Sequence, residues 1–245
     1  MRPTPHHQTR RSTRRAALFA LASGAAIALG SPAFAQVLWK GAPEARPTMM
    51  TRGEMQNAAA LVAARNDQRR VVVQFNAPIT DVVRSSLERA GVTLLSPLGS
   101  NAFFASIDGD RLDGAALTRE ASLTSLRPID AAWKTHPMLR RDEVPEWAVV
   151  DAGGRLPGEA GHIEDAEQAK RDPVIAVYVM MHADASARTE GVAAVGRHGG
   201  EVRTALRSVN VLVAHVPMSA VRALAAEDAV QWVEPALPHF DELNN

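Results

Sequence analysis

Few residues in this chain could do chemistry, and their spacing is poor for it. Trp147-Ala148-Val149-Val150-Asp151-Ala152-Gly153 reads as a strand ending in an Asp-x-Gly turn, and His162 follows eleven residues later. A carboxylate and an imidazole could together activate a serine. No Gly-Thr-Ser turn and no Gly-x-Ser-x-Gly elbow occurs anywhere, however. Without an activated nucleophile there is no acyl-enzyme route, so Asp151 is expected to be a connector residue and the chain not to be an enzyme. His162, Glu164, Asp165 and Glu167 form an acidic cluster with one imidazole. It lacks the i, i+4 histidine pair of a zinc helix, so a solvated connector is expected and no metal. His215 sits inside an apolar run, where it is either a pH-sensing group or a tolerated side chain on a sheet face or edge. No Gly-rich phosphate loop follows any predicted strand, and no cofactor is implied.

Composition narrows the classes further. The 245 residues are 46% apolar, enough for one or two cores, and contain no cysteine. Disulfides, thiolate metal sites and a cysteine nucleophile are excluded together. Net charge is zero but unevenly spread. Residues 1–35 hold five arginines and no acid, leaving 22 basic and 27 acidic residues, net −5, in the remainder. An acidic body offers no surface for tracking phosphates, which argues against a nucleic-acid partner.

The first 35 residues read as an export address. Arg10, Arg11, Arg14 and Arg15 make a basic region, an apolar stretch follows over 16–29, and Ala33-Phe34-Ala35 is an A-x-A cleavage site. The apolar run is too short to span hydrocarbon, so cleavage after Ala35 is expected rather than a membrane anchor. Thr13-Arg14-Arg15-Ala16-Ala17-Leu18 loosely resembles a twin-arginine signal, but the general secretory route is the expectation. The mature protein is then periplasmic or secreted.

Residues 36–69 read as an N-terminal lead, with a short helix over 53–65. From there the periodicity predicts strand 71–75, a helix from Thr80 or Asp81 to Gly91, strands 92–95 and 101–107, helix 110–121 and strand 123–129. The order β-α-β-β-α-β returns as strand 174–180, helix 185–198 stopped at Gly199-Gly200, strands 201–206 and 210–216, helix 219–226 and strand 229–234. An internal repeat supports this reading: Gly91 and Gly200, Asn101 and Asn210, and Ile107 and Val216 stand 109 residues apart. Leu126-Arg127-Pro128 and Val233-Glu234-Pro235 close the two copies. The expected fold is α+β: two tandem ferredoxin-like modules, 70–134 and 173–236, each a four-stranded antiparallel sheet with two helices on one face. A polar linker over 135–172, with a short helix over 163–170, joins them, and a tail runs over 237–245.

The predicted strands alternate poorly. Val174-Ile175-Ala176-Val177-Tyr178-Val179-Met180, Val211-Leu212-Val213-Ala214 and Ala102-Phe103-Phe104-Ala105 are apolar on both parities, unlike a sheet with one wet face. Helices cover only one side, so the other must be covered by the sister module, by a second copy or by an external protein. The external protein is the expectation. The face assigned to docking is carried by Phe103, Phe104, Tyr178, Leu212, Val213 and Trp232.

These residues resemble a family. Val72-Val73-Gln74-Phe75, Ala90-Gly91-Val92 and Asn101-Ala102-Phe103-Phe104, with the exit Leu126-Arg127-Pro128, Trp133-Lys134 and Pro137, are similar to the prodomains (inhibitor I9 type) of bacterial subtilisin-like serine proteases. In the second copy, Val230-Gln231-Trp232-Val233-Glu234-Pro235 with Leu243-Asn244 looks like the lead into the catalytic domain. The resemblance covers 70–245 through an ordered set of motifs, none specific alone. Gly161-His162-Ile163-Glu164 departs from the family's His-Gly-Thr-His context. What the resemblance implies is a non-catalytic folding chaperone or inhibitor of a subtilisin-like protease domain. Its sheet would dock on paired protease helices, and its tail Pro238-His239-Phe240-Asp241-Glu242-Leu243 would reach toward the cleft. Asp241 and Glu242 are unusual for such a cleft. The chain stops about where a catalytic domain would begin, so a solitary inhibitor, a truncated product and one part of a split protease all fit. The competing expectation is an exported interaction module unrelated to proteolysis.

Overall fold

The β-branched run ahead of Asn76 forms strand β1 (Arg70–Phe75), and the elements around it are bounded by caps and turns. A computed structural model describes residues 49–65, 69–99, 101–151 and 172–237. The predicted export segment, the acidic cluster around His162, helix 163–170 and the tail 238–243 lie outside them. Among the described residues no helix is long and apolar enough to cross a membrane.

Ahead of β1 lies helix α1 (Arg52–Ala63). Thr51 Oγ1 accepts from the Glu54 amide and Glu54 Oε2 from the Thr51 amide, a capping box that closes two orphan donors. Met55, Ala59 and Val62, on one stripe, are buried against the first sheet. That burial contributes roughly 4 kcal/mol before ordering costs. The lead is therefore part of the first module from Thr51 onward, which has three helices on its covered side rather than two. The others are α2 (Asp81–Arg89), capped by Thr80, and α3 (Gly114–Arg119), capped by Asp113. The Asp113 cap starts α3 later than the expected 110.

Strands β2 (Val92–Pro97), β3 (Ala102–Ile107) and β4 (Leu123–Pro128) complete an antiparallel sheet in the order β2-β3-β1-β4. Val71, Val73, Phe75, Ala105, Ile107 and Leu126 face the helices and form its core with Leu87 and Leu117.

The expected linker is structured in its first half. Helix α4 (Pro137–Arg140) buries Leu139 in the second core, and strand β5 (Val149–Asp151) pairs with the start of β6 (Val174–Met181). A polar composition hid the few apolar anchors, Leu139 and Ala148, that hold this segment down. The second sheet continues with β7 (Glu201–Leu206), β8 (Val211–Pro217) and β9 (Val230–Pro235) in the order β5-β6-β8-β7, with β9 also on β6. β5 and β9 lie along the same side of β6, one after the other. The predicted helix 185–198 is a π-helical turn, Ala187–Gly191, running into α5 (Val192–Arg197). Helix α6 (Val221–Ala226) follows a 3-10 turn.

The repeat is carried into the register. Val73 pairs with Phe103 and Leu126, and Val179 pairs with Leu212 and Val233. Val71 faces Ala105 and Pro128 as Val177 faces Ala214 and Pro235. Both first strands are irregular at the same place, between Gln74 and Phe75 and between Met180 and Met181. Asn101 (φ 55°) and Asn210 (φ 53°) occupy the same left-handed hairpin corner, a conformation that asparagine tolerates best after glycine. The glycine pairing shifts by one: the left-handed residues after the helices are Gly91 (φ 81°) and Gly199 (φ 71°). Gly200 has a different reason to be glycine. A Cβ there would stand 2.6 Å from Val216 Cγ1.

The two asparagines carry different loads. Asn210 Nδ2 donates to the His182 and Ala185 carbonyls (3.0 and 2.8 Å), and its Oδ1 accepts from the Ala187 amide (3.1 Å). Asn210→Gly keeps the backbone but orphans these groups, and about 2 kcal/mol of stability should be lost in urea unfolding. Asn101→Gly should change stability by under about 0.5 kcal/mol. Equal effects at both corners would refute this division.

Candidate docking face

Register decides which side each candidate occupies. Phe103 and Leu212 are equivalent, and both pack into the helix-side cores, Leu212 fully buried. Neither belongs to the open face to which it was assigned. Four-residue runs apolar on both parities gave no sign of this. Phe104 and Val213 point the other way, opposite Val72 and Tyr178.

The two open faces differ in what covers them. In the first sheet Val72 and Gln74 are each 6% exposed and Phe104 2%. Their equivalents Tyr178, Met180 and Val213 are half-buried. Ile129 and Trp133, which follow β4 within the first module, fold back onto its sheet's face. The His182 ring, just beyond β6, stands edge-on to Phe104 with centroids 4.7 Å apart. The second module thus adds a single loop contact to a face covered mainly by residues 95, 98, 129 and 133 of the first.

A charged belt surrounds this contact. Arg70 Nε donates to Asp184 Oδ1 (2.9 Å), its Nη1 to Asp228 Oδ2 (2.8 Å) and its amide to Asp228 Oδ1 (3.0 Å). Burial opposes the guanidinium's charge, but the bond to Asp184 and the charges of Asp184, Asp228 and Glu190 outweigh it and raise the Arg70 pKa. Lys134 is buried and donates to the Glu227 carbonyl (2.7 Å). Burial lowers its pKa to about 8, against the pull of Asp228 and Glu227. The ring nitrogens of His182, fully buried, have no hydrogen-bond partner among the described residues. Sequence reasoning missed Arg70, Lys134, His182, Asp184 and Asp228. They are scattered singly at strand ends and turns, with no periodicity to mark them.

On the second face, Tyr178 is flanked by Val213 and Glu234, and Met180 by Val211 and Trp232. Trp232 is itself mostly buried. Its Nε1 donates to Glu234 Oε2 (2.8 Å), and the His136 ring stands edge-on to it at 6.3 Å. The connector therefore shields the β9 margin while Tyr178, Met180 and Val213 remain half-open. His215 lies opposite Ala176 and Glu201, half-buried. Burial and Arg203 lower its pKa while Glu201 resists. Asp151 ends β5, and His162 lies outside the described residues. Among the described residues no group of three or more His, Asp or Glu could hold a metal ion.

Residues 34–130 are similar to the family described as Domain of unknown function (DUF8729). That match spans less than half of the chain and ends two residues past β4, where the first module closes. No curated protein and no solved structure matches the chain.

Proposed function

We propose that this chain is an exported, non-catalytic docking protein of two ferredoxin-like modules, akin to the prodomains of subtilisin-like serine proteases. Its second sheet would rest on the surface helices of such a protease domain. Each sheet places its strands in the order fourth, first, third, second with antiparallel neighbours, which supports the ferredoxin-like reading. The single observation that carries docking is the contrast between faces: equivalent residues are sealed in the first sheet and half-open in the second. A half-open strip of Tyr178, Met180 and Val213 suits a helical partner surface better than water.

The purified chain, added in up to about 100-fold excess, is expected to slow peptide hydrolysis by a subtilisin-like protease or to speed refolding of its denatured catalytic domain. Neither effect with any of several such proteases would remove this reading.

A further inference from the structure

We infer that Phe240, which lies outside the described residues, seats on the half-open face of the second sheet over Tyr178 and Val213, as Trp133 seats on the first. This goes beyond the function proposed above. It concerns the free chain and stands whether or not a protease is the partner.

The register of the two modules fixes the comparison. Pro128 closes the first sheet opposite Val71, and Pro235 closes the second opposite Val177. Counting from these prolines, Ile129 corresponds to Ala236, and both are buried. Trp133, five residues past its proline, corresponds to Phe240, five residues past Pro235. Trp133 is carried there by a 3-10 turn over Ala131–Lys134, capped by Asp130. In the second copy Leu237 lacks that capping carboxylate. Pro238, however, falls at the first position of the turn, where a missing amide costs nothing and the fixed φ suits a helical start.

Trp133 packs with Val72, Phe104, Ile129, Leu95 and Leu98 on the face away from the helices. Val72 and Phe104 are register partners, and so are their equivalents Tyr178 and Val213. The second face lacks one of the covers of the first. Leu94 faces Ala105 as Val202 faces Ala214, so the place of Leu95 falls to Arg203 and Thr204, both exposed. Trp232 and His136 occupy the β9 margin beside Met180. The seat for Phe240 is therefore the Tyr178–Val213 pair.

Reach is ample. The Ala236 amide donates to the Ala176 carbonyl (2.9 Å), two residues from Tyr178 along β6. The four residues from there to Phe240 span up to about 13 Å. Seating the ring must order residues 237–240, and that entropy opposes most of the gain from burying it. The cover is therefore weak, and a docking partner displaces it.

Tyr178 is the single tyrosine of the chain, so 3-fluorotyrosine places one fluorine on the strip. Fluorine NMR of the full chain, with a soluble gadolinium chelate as solvent probe, reads its cover. In Phe240→Ala the seating constant should fall about 30-fold, moving the resonance and raising its solvent relaxation. Phe240→Trp should keep the low solvent relaxation of the wild type, since tryptophan holds the equivalent place in the first module. Leu243→Ala should change neither reading. A Phe240→Ala spectrum identical to the wild type overturns the seat. So does a Phe240→Trp variant as exposed as Phe240→Ala, or a Leu243→Ala shift of the same size. A wild-type signal that moves on dilution overturns it too, assigning the cover to a second copy. None of these samples contains a protease, so absence of inhibition leaves the readings untouched.

Discussion

Arg70→Met should destabilise the protein by about 3 kcal/mol at pH 7 in urea unfolding. The methionine stem fills much of the volume of the arginine stem, so the loss is one of charge and hydrogen bonding. Arg70 is the cation between Asp184 and Asp228, with Nε and Nη1 each spent on a different carboxylate. Removing it leaves two negative groups together at a largely dry contact. Breaking a buried pair from one side costs about 3–5 kcal/mol because the surviving charge is stranded. The low end applies, since Asp184 is about one-third exposed and can hydrate, and Lys134 still acts on Asp228. Adding Asp184→Asn and Asp228→Asn to Arg70→Met should recover most of the loss, as the stranded charges are gone. A loss below about 1 kcal/mol would make the belt an ordinary surface pair.

The second large effect concerns partner binding. Val213→Asp should weaken association with the protease domain by at least about 100-fold, and Tyr178→Ala by about 30-fold, the equivalent of roughly 2 kcal/mol. The two side chains are register partners at the middle of the half-open strip. An aspartate there must be desolvated on docking, whereas in the free protein it still meets water. Stability should accordingly change by under about 1 kcal/mol for both variants. Inhibition titrations alongside urea unfolding separate the two quantities. Unchanged inhibition by both variants would clear this face of any role. Loss of fold in both would mean that the strip is core in solution.

Much of the architecture was readable from punctuation. The asparagines 109 residues apart are the two left-handed corners, and the Leu-Arg-Pro and Val-Glu-Pro segments close the sheets in equivalent register. Helix α1 was seen but undervalued. Thr51-Arg52-Gly53-Glu54 was there as a capping box, and the stripe Met55, Ala59, Val62 showed which side would be buried. Facing was the weak point. Where Ala102-Phe103-Phe104-Ala105 is apolar throughout, parity is undefined until Val73 is known to pair with Phe103, and that knowledge is tertiary. The same holds for Leu212. His182 was illegible for a different reason. A histidine one residue past a strand normally reaches solvent, and only the approach of Phe104 from over seventy residues away seals it.

Because His182 on Phe104 and the Asp184 and Asp228 carboxylates on Arg70 all come from the second module, these contacts are made well after the sheet they join is synthesised. Strands β1 to β4 are all present once residue 128 has emerged, with Phe104 still lacking the His182 ring and Arg70 both of its carboxylates. At ribosomal speeds of about 5–20 residues per second that interval lasts for several seconds. A stalled or truncated nascent chain would linger in this form, so holdase capture of the first half should depend on how fast the second half arrives.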